Sequence, residues 1–215
     1  MGPQVVSRNE WLVARGKLLE QEKAATRAGD ELAARRRAMP AVLVEQEYVF
    51  EGPDGSANLL DLFAGRRQLL VYHFMFDPSW DEGCRHCSYL VDHFAHLEHL
   101  HARDTSLVVL AHAPWHTIAP FQERMGWTFP WLSTAGGSFS RDFDPTGDAV
   151  EYSEWGGLLA FLRDGDDVLH TYTTSERGVD RLHGTYNLLD LTPLGRQENP
   201  RAPMSWVRHH DKYDS

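Results

Sequence analysis

Cysteine is nearly missing from this chain: Cys84 and Cys87 are the only two in 215 residues. Two sulfurs cannot supply the four thiolates of an all-cysteine zinc site, nor a disulfide scaffold. Positive charge is also short, with 21 Lys and Arg against 31 Asp and Glu and a formal net charge of -10. That deficit disfavours nucleic acid and anionic membrane as partners, because polyanions reward clustered cations, and Arg35-Arg36-Arg37 is too short a cluster to reverse it. No apolar run approaches the ~20 residues of a membrane span, and the first residues are polar where a signal peptide would carry an apolar core. A cytoplasmic protein is therefore expected, and in that reducing compartment a purely structural disulfide is disfavoured.

The two cysteines stand at C-x-x-C spacing, which roughly one per cent of random placements of two cysteines would give. They follow the apolar run Leu69-Leu-Val-Tyr-His-Phe-Met-Phe76, and Ser88 to His101 then carries apolar residues at helical intervals. The pattern places the pair at the entry to a helix behind a buried strand. A lone pair there suits a dithiol that cycles with a disulfide, although a metal site or two merely buried cysteines would also fit the spacing. Cys84, at the helix N-terminus, is the expected nucleophile, because unpaired backbone N–H groups favour thiolate; Cys87, one turn on, is the expected resolving thiol. Arg85 and His86 add positive charge between them, whereas Asp81 and Glu82 would oppose a thiolate if they pointed toward it.

Around this centre the chain divides into an N-terminal helical extension (1–40), a main domain (41–198) and a C-terminal tail (199–215). Ser7-Arg-Asn-Glu10 has the form of a capping box and opens a charged, alanine-rich helix that ends before Pro40. With few large apolar residues in its second half, that helix either lies across the surface or joins a second copy in a homo-oligomer. Val42 to Phe50 reads as strand, Gly52-Pro-Asp-Gly55 as a turn, and a short helix ends near Gly65. Ser106 to Ala113 reads as a second buried strand, Pro114 to Arg124 as helix and Trp127 to Ser133 as strand. Leu158 to Arg163 and Val168 to Thr173 form a hairpin around Asp164-Gly-Asp166. Alternating strands and helices closed by a hairpin describe an α/β, thioredoxin-like sandwich with a central mixed sheet.

Several stretches resemble the thioredoxin-like domain-of-unknown-function family 899, related to the alkyl hydroperoxide reductase and thiol-specific antioxidant superfamily. They are Trp11-Leu12, Tyr72-His-Phe-Met-Phe76, Glu82-Gly-Cys-Arg-His-Cys-Ser88 and Arg124-Met-Gly-Trp-Thr-Phe-Pro-Trp131. His170-Thr-Tyr172, Arg177-Gly178, Gly184-Thr-Tyr186 and Leu189-Asp-Leu-Thr-Pro-Leu-Gly-Arg196 extend the likeness towards the end of the chain. The resemblance implies the fold and leaves the substrate open. Two features depart from an ordinary thioredoxin. Trp80 lies four residues before Cys84 instead of adjacent to it, and Gly156-Gly157 precedes the strand where thioredoxins place a cis-proline. Glycine there leaves open space and free backbone donors beside the sulfurs.

The function expected is thiol–disulfide exchange with an unidentified thiol or disulfide substrate or reductant, needing no cofactor and no metal. The alternative is a redox-sensing or ligand-binding module without turnover. A thiol peroxidase is less favoured, because Asp81 occupies the position where a peroxidase needs a hydroxyl donor. His93, His96, His99 and His101 read as surface histidines that drift around a helix, while His73, His112 and His116 lie near strand ends where they could approach the cysteines. Trp127, Phe129 and Trp131 read as core. Tyr172, Arg177, Tyr186, Asp190 and Arg196 either brace the fold or bind something.

Overall fold

A computed structural model describes residues 4–145 and 155–214. Helix α1 spans Arg8–Arg37. Its start is a reciprocal capping box: the Ser7 hydroxyl accepts from the Glu10 N–H (3.3 Å) and the Glu10 carboxylate accepts from the Ser7 N–H (2.9 Å). Arg35, Arg36 and Arg37 occupy the last turn, where positive charge suits the dipole, and the chain leaves the helix at Ala38 before Pro40. No residue of α1 is buried, and the Arg36 guanidinium rests over the Tyr172 ring (5.3 Å). No helix among the described residues is long and apolar enough to cross a membrane.

Among the described residues, eight strands form one sheet. In chain order they are β1 (Val42–Leu43), β2 (Val49–Gly52), β3 (Gly55–Asn58), β4 (Gln68–Phe74), β5 (Thr105–Ala111), β6 (Trp131–Ser133), β7 (Gly157–Asp164) and β8 (Asp167–Ser175). Their order across the sheet is β1-β8-β7-β4-β5-β6-β2-β3. β4 runs parallel to β5, and β5 to β6; the hairpin β7–β8 lies antiparallel along the other side of β4, and β2–β3 closes the far edge. The shorter helices are α2 (Arg85–Val91), α3 (Glu98–His101), α4 (Trp115–Arg124), α5 (Phe139–Asp142) and α6 (Gly184–Leu189). A strand that runs into the cysteine helix, parallel to the next strand and antiparallel to a closing hairpin, is the thioredoxin-like arrangement.

Period-two alternation along β4 divides the core into two layers. Tyr72 and Phe74 pack with Cys87, Leu90, Phe121 and Trp131 beneath α2 and α4. Leu69 and Val71 face the opposite way, into a layer with Phe50, Phe139 and Phe161. Trp127 and Trp131 stack with centroids 5.0 Å apart, and Phe129 is buried beside them.

Three expectations about elements change. The helix read through His101 breaks after Val91 and resumes only at Glu98. Side chains in the gap have tertiary partners that helical continuation would not satisfy: Asp92 accepts from the Trp127 indole (2.9 Å) and lies 2.8 Å from His210 Nδ1, while His93 Nε2 accepts from the Thr185 N–H (3.0 Å). Of the strand read at Trp127 to Ser133, only β6 pairs, because the Gln122 amide takes the Trp127 and Phe129 carbonyls. The strand read at Val42 to Phe50 splits, and its halves pair at different parts of the sheet, β1 with β8 and β2 with β6 and β3.

Candidate active site at the two cysteines

The chain leaves β4 at Phe74, makes an excursion and returns, and the Cys84 N–H donates to the Met75 carbonyl (2.9 Å) to close it. Asp77 holds the first turn by accepting from the Ser79 N–H (2.7 Å). Gly83 ends the excursion in a space that admits no side chain, since a β-carbon there would lie 2.4 Å from the Phe74 ring and 2.8 Å from Phe121. Cys84 is then the N-cap of α2, in extended backbone, and its carbonyl accepts from the N–H (2.9 Å) and hydroxyl (2.9 Å) of Ser88.

Cys84 is half-buried and Cys87 buried, and both are free thiols. Within the pair one sulfur is favoured as the anion. The Cys87 S–H donates to the Cys84 sulfur, and the His86 side chain and the backbone N–H groups of Cys87 and His86 add further donors. Together they overcome burial and bring the Cys84 thiol down to about 4. Cys87 moves the other way, because its proton is held by the Cys84 sulfur and because burial disfavours its charge. The Tyr72 hydroxyl donates to the Cys87 sulfur and so offsets part of that rise. Burial holds the phenol itself well above its usual range, so Tyr72 acts as a donor and not a base.

Gly156 passes close behind the pair: a β-carbon there would lie 3.1 Å from Cys87 Sγ and 3.6 Å from the Met75 side chain. Gly157 begins β7 opposite His73, and a β-carbon there would meet the Thr174 carbonyl at 2.7 Å. Arg85 is exposed and its Nε lies 3.4 Å from His86 Nε2. Trp80 is 38% exposed and lies outside the buried wall around the sulfurs. Asp81 is exposed.

The histidines distribute differently from the expectation that strand ends would bring them to the sulfurs. His73 faces the opposite side of the sheet from Tyr72. It stacks on Trp155 (centroids 4.1 Å), with Nδ1 2.9 Å from the Trp155 carbonyl and Nε2 2.8 Å from Ser140 Oγ. Ser140 Oγ is in turn 2.9 Å from Thr134 Oγ1, which lies 3.4 Å from His112 Nδ1. His116 is exposed. The C-terminal group braces itself: Arg196 makes two hydrogen bonds to the Asp190 carboxylate (2.8 and 2.6 Å) and covers the Tyr186 ring (3.9 Å). Arg177 pairs with Asp180 (2.8 Å) and Tyr172 lies under Arg36. Tyr72 is the site residue that motif reading misses. Strand alternation could have found it, because Phe74, two residues on, is the last residue of β4 on the helix-bearing face.

Three solved structures are similar to this chain at 16% identity each. A solution structure described as a "putative protein disulfide isomerase" from Bacteroides thetaiotaomicron has a TM-score of 0.45, the match covering 69% of this chain and 91% of that one. Peroxidoxin BcpB from Mycobacterium tuberculosis has a TM-score of 0.39, with 70% and 97% covered. BsSco, of the Sco family of cytochrome c oxidase assembly proteins, has a TM-score of 0.38, with 72% and 98% covered. No curated protein matches. The profile of the family described as "Bacterial protein of unknown function (DUF899)" matches residues 1–213, and the protein belongs to that family.

Proposed function

We propose that this protein is a cytoplasmic thiol–disulfide oxidoreductase in which Cys84 is the nucleophile and Cys87 the resolving thiol. The observation that supports it most is the placement of half-buried Cys84 as the N-cap of α2, one turn before buried Cys87, where hydrogen-bond donors favour the Cys84 thiolate. The Cys84 thiolate attacks one sulfur of a substrate disulfide. An S–S bond forms to Cys84, the substrate S–S bond breaks, and the departing thiolate takes a proton. Cys87 then loses its proton, attacks Cys84 Sγ and expels the second substrate thiol, leaving the Cys84–Cys87 disulfide. Two electrons pass to the substrate, and a dithiol reductant restores the pair; the reverse sequence oxidises a dithiol.

His86 supplies hydrogen bonding to the attacking sulfur and accepts in turn from Arg85 Nε. Gly156 and Gly157 do not leave the open space expected of glycines there: both are closely packed, and Gly156 lets the backbone pass tightly against Cys87, while Trp80 offers a substrate an exposed apolar surface. Self-association through α1 belongs to the same reading. Trp11, Leu18, Ala25 and Leu32 repeat every seven residues along a helix that buries nothing of its own, and a second copy of α1 would cover that stripe.

The test is dithiol exchange with a model disulfide. Cys84→Ser should abolish it, and Cys87→Ser should stop at a trapped mixed disulfide on Cys84. Exchange retained in Cys84→Ser would overturn the assignment.

A further inference from the structure

The oxidoreductase reading leaves unexplained how a thiolate survives two residues after Glu82 and three after Asp81. The last turn of the chain answers it. Val207, fully buried, anchors the segment in a small cluster with Tyr89 and Tyr186, and from there the chain lies along the excursion that ends at Cys84. His209, only 7% exposed, enters between the excursion and α4, its ring 5.6 Å from Phe121. Its Nε2 lies 2.9 Å from the Gly83 carbonyl and its Nδ1 3.0 Å from Glu82 Oε2. A carbonyl and a carboxylate only accept, so the ring meets an acceptor at each of its two nitrogens. The other Glu82 oxygen is taken by Lys212 (2.5 Å) and Arg124 (3.2 Å), and Arg124 is held in turn by Asp211 (3.0 Å). His210, next in the chain, faces away to Asp92 (2.8 Å).

We propose that His209 is a positioning residue for Cys84: it fixes the Gly83 carbonyl one peptide before the nucleophile and, with Lys212 and Arg124, keeps the Glu82 carboxylate occupied. His209 touches no reacting atom and acts through Glu82 and Gly83. The C-terminal strap thereby becomes part of the site, although 126 residues separate His209 from Gly83 in the chain. The inference rests on the reading of Cys84 as a thiolate nucleophile, and the readout separates the two. If wild-type Cys84 does not ionise below neutral pH, the oxidoreductase reading fails; if it does and His209 variants leave it unmoved, the present inference fails.

The experiment follows the pH dependence of Cys84 alkylation in the full-length protein by mass spectrometry, with thermal melting to confirm folding. His209→Ala should raise the midpoint by about one pH unit, a roughly tenfold loss of thiolate at pH values well below the wild-type midpoint. Adding Glu82→Gln should return most of that shift, because the repelling charge is gone; a merely structural loss of packing would not be reversed in this way. His209→Gln keeps the volume and a donor for Gly83 but cannot balance the Glu82 charge, and it should give an intermediate shift if the alanine variant does not fold. A midpoint equal to that of the wild type in a folded His209 variant would overturn the proposal. So would failure of Glu82→Gln to reverse the shift.

Discussion

Replacing Cys87 with alanine removes the S–H that contributes most to holding Cys84 as an anion, and leaves the His86 and backbone donors in place. A hydrogen bond to a charged group contributes about 1.5–3 kcal/mol, and one pKa unit corresponds to about 1.36 kcal/mol, so the loss should raise Cys84 by about one to two units. Starting from about 4, the variant would titrate around 5 to 6, still far below an ordinary thiol near ~8.5. Cys87→Ser keeps an O–H in a similar place and should shift less. The assay is the pH profile of iodoacetamide alkylation, read by mass. Absolute rate is a poor guide, because a thiolate of low pKa is also a weaker nucleophile, with a Brønsted slope of about 0.4–0.5. The midpoint is free of that compensation. Wild-type rate should be flat from about pH 6 to 9, with the Cys87→Ala curve displaced upward. A wild-type rate that climbs tenfold per unit between pH 6 and 8, or a Cys87→Ala midpoint equal to the wild type's, would refute the reasoning.

Gly83→Ala forces a β-carbon to within 2.4 Å of a buried phenylalanine ring. Overpacking of this kind costs about 1–3 kcal/mol, so the melting temperature should fall by several degrees and Cys84 alkylation should change with it. His73 is buried neutral and pushed down to about 4 by burial, against about 6.5 in the unfolded chain. Between those values the unfolded state binds the extra proton, so His73 should destabilise the fold progressively as pH falls from about 6.5 to 4, by up to about 3 kcal/mol. Urea titrations across that window should show a shallower slope in His73→Gln; an unchanged slope would exclude the histidine as its source. If α1 pairs with a second copy, sedimentation should give a dimer that Trp11→Glu with Leu18→Glu converts to monomer, while a wild-type monomer at high concentration would remove that reading.

Signals confined to a few neighbouring residues were readable in the sequence. The capping box at Ser7 and Glu10, the turn at Asp164-Gly-Asp166 between β7 and β8, and the entry of the cysteine pair into α2 each depend on local chemistry that short patterns encode. What escaped reading depends on distant partners. The helix read through His101 obeys its apolar period, but Trp127, Thr185 and His210 capture Asp92 and His93 and end it early. Gln122 does the same to the strand expected at Trp127. Tyr72 looks like any apolar strand residue until α2 places Cys87 over it. His209 carried no motif, and its importance follows from tertiary contact with Gly83 and Glu82.

The measurement that tests the central claim most directly is a redox titration of Cys84 and Cys87 across glutathione buffers of defined potential, with free thiols trapped by mass-tagged alkylation. The account predicts a reversible two-electron transition to an intramolecular Cys84–Cys87 disulfide, with Cys84 the faster thiol to react in the reduced protein. Two thiols that form no disulfide with each other at any potential would contradict it.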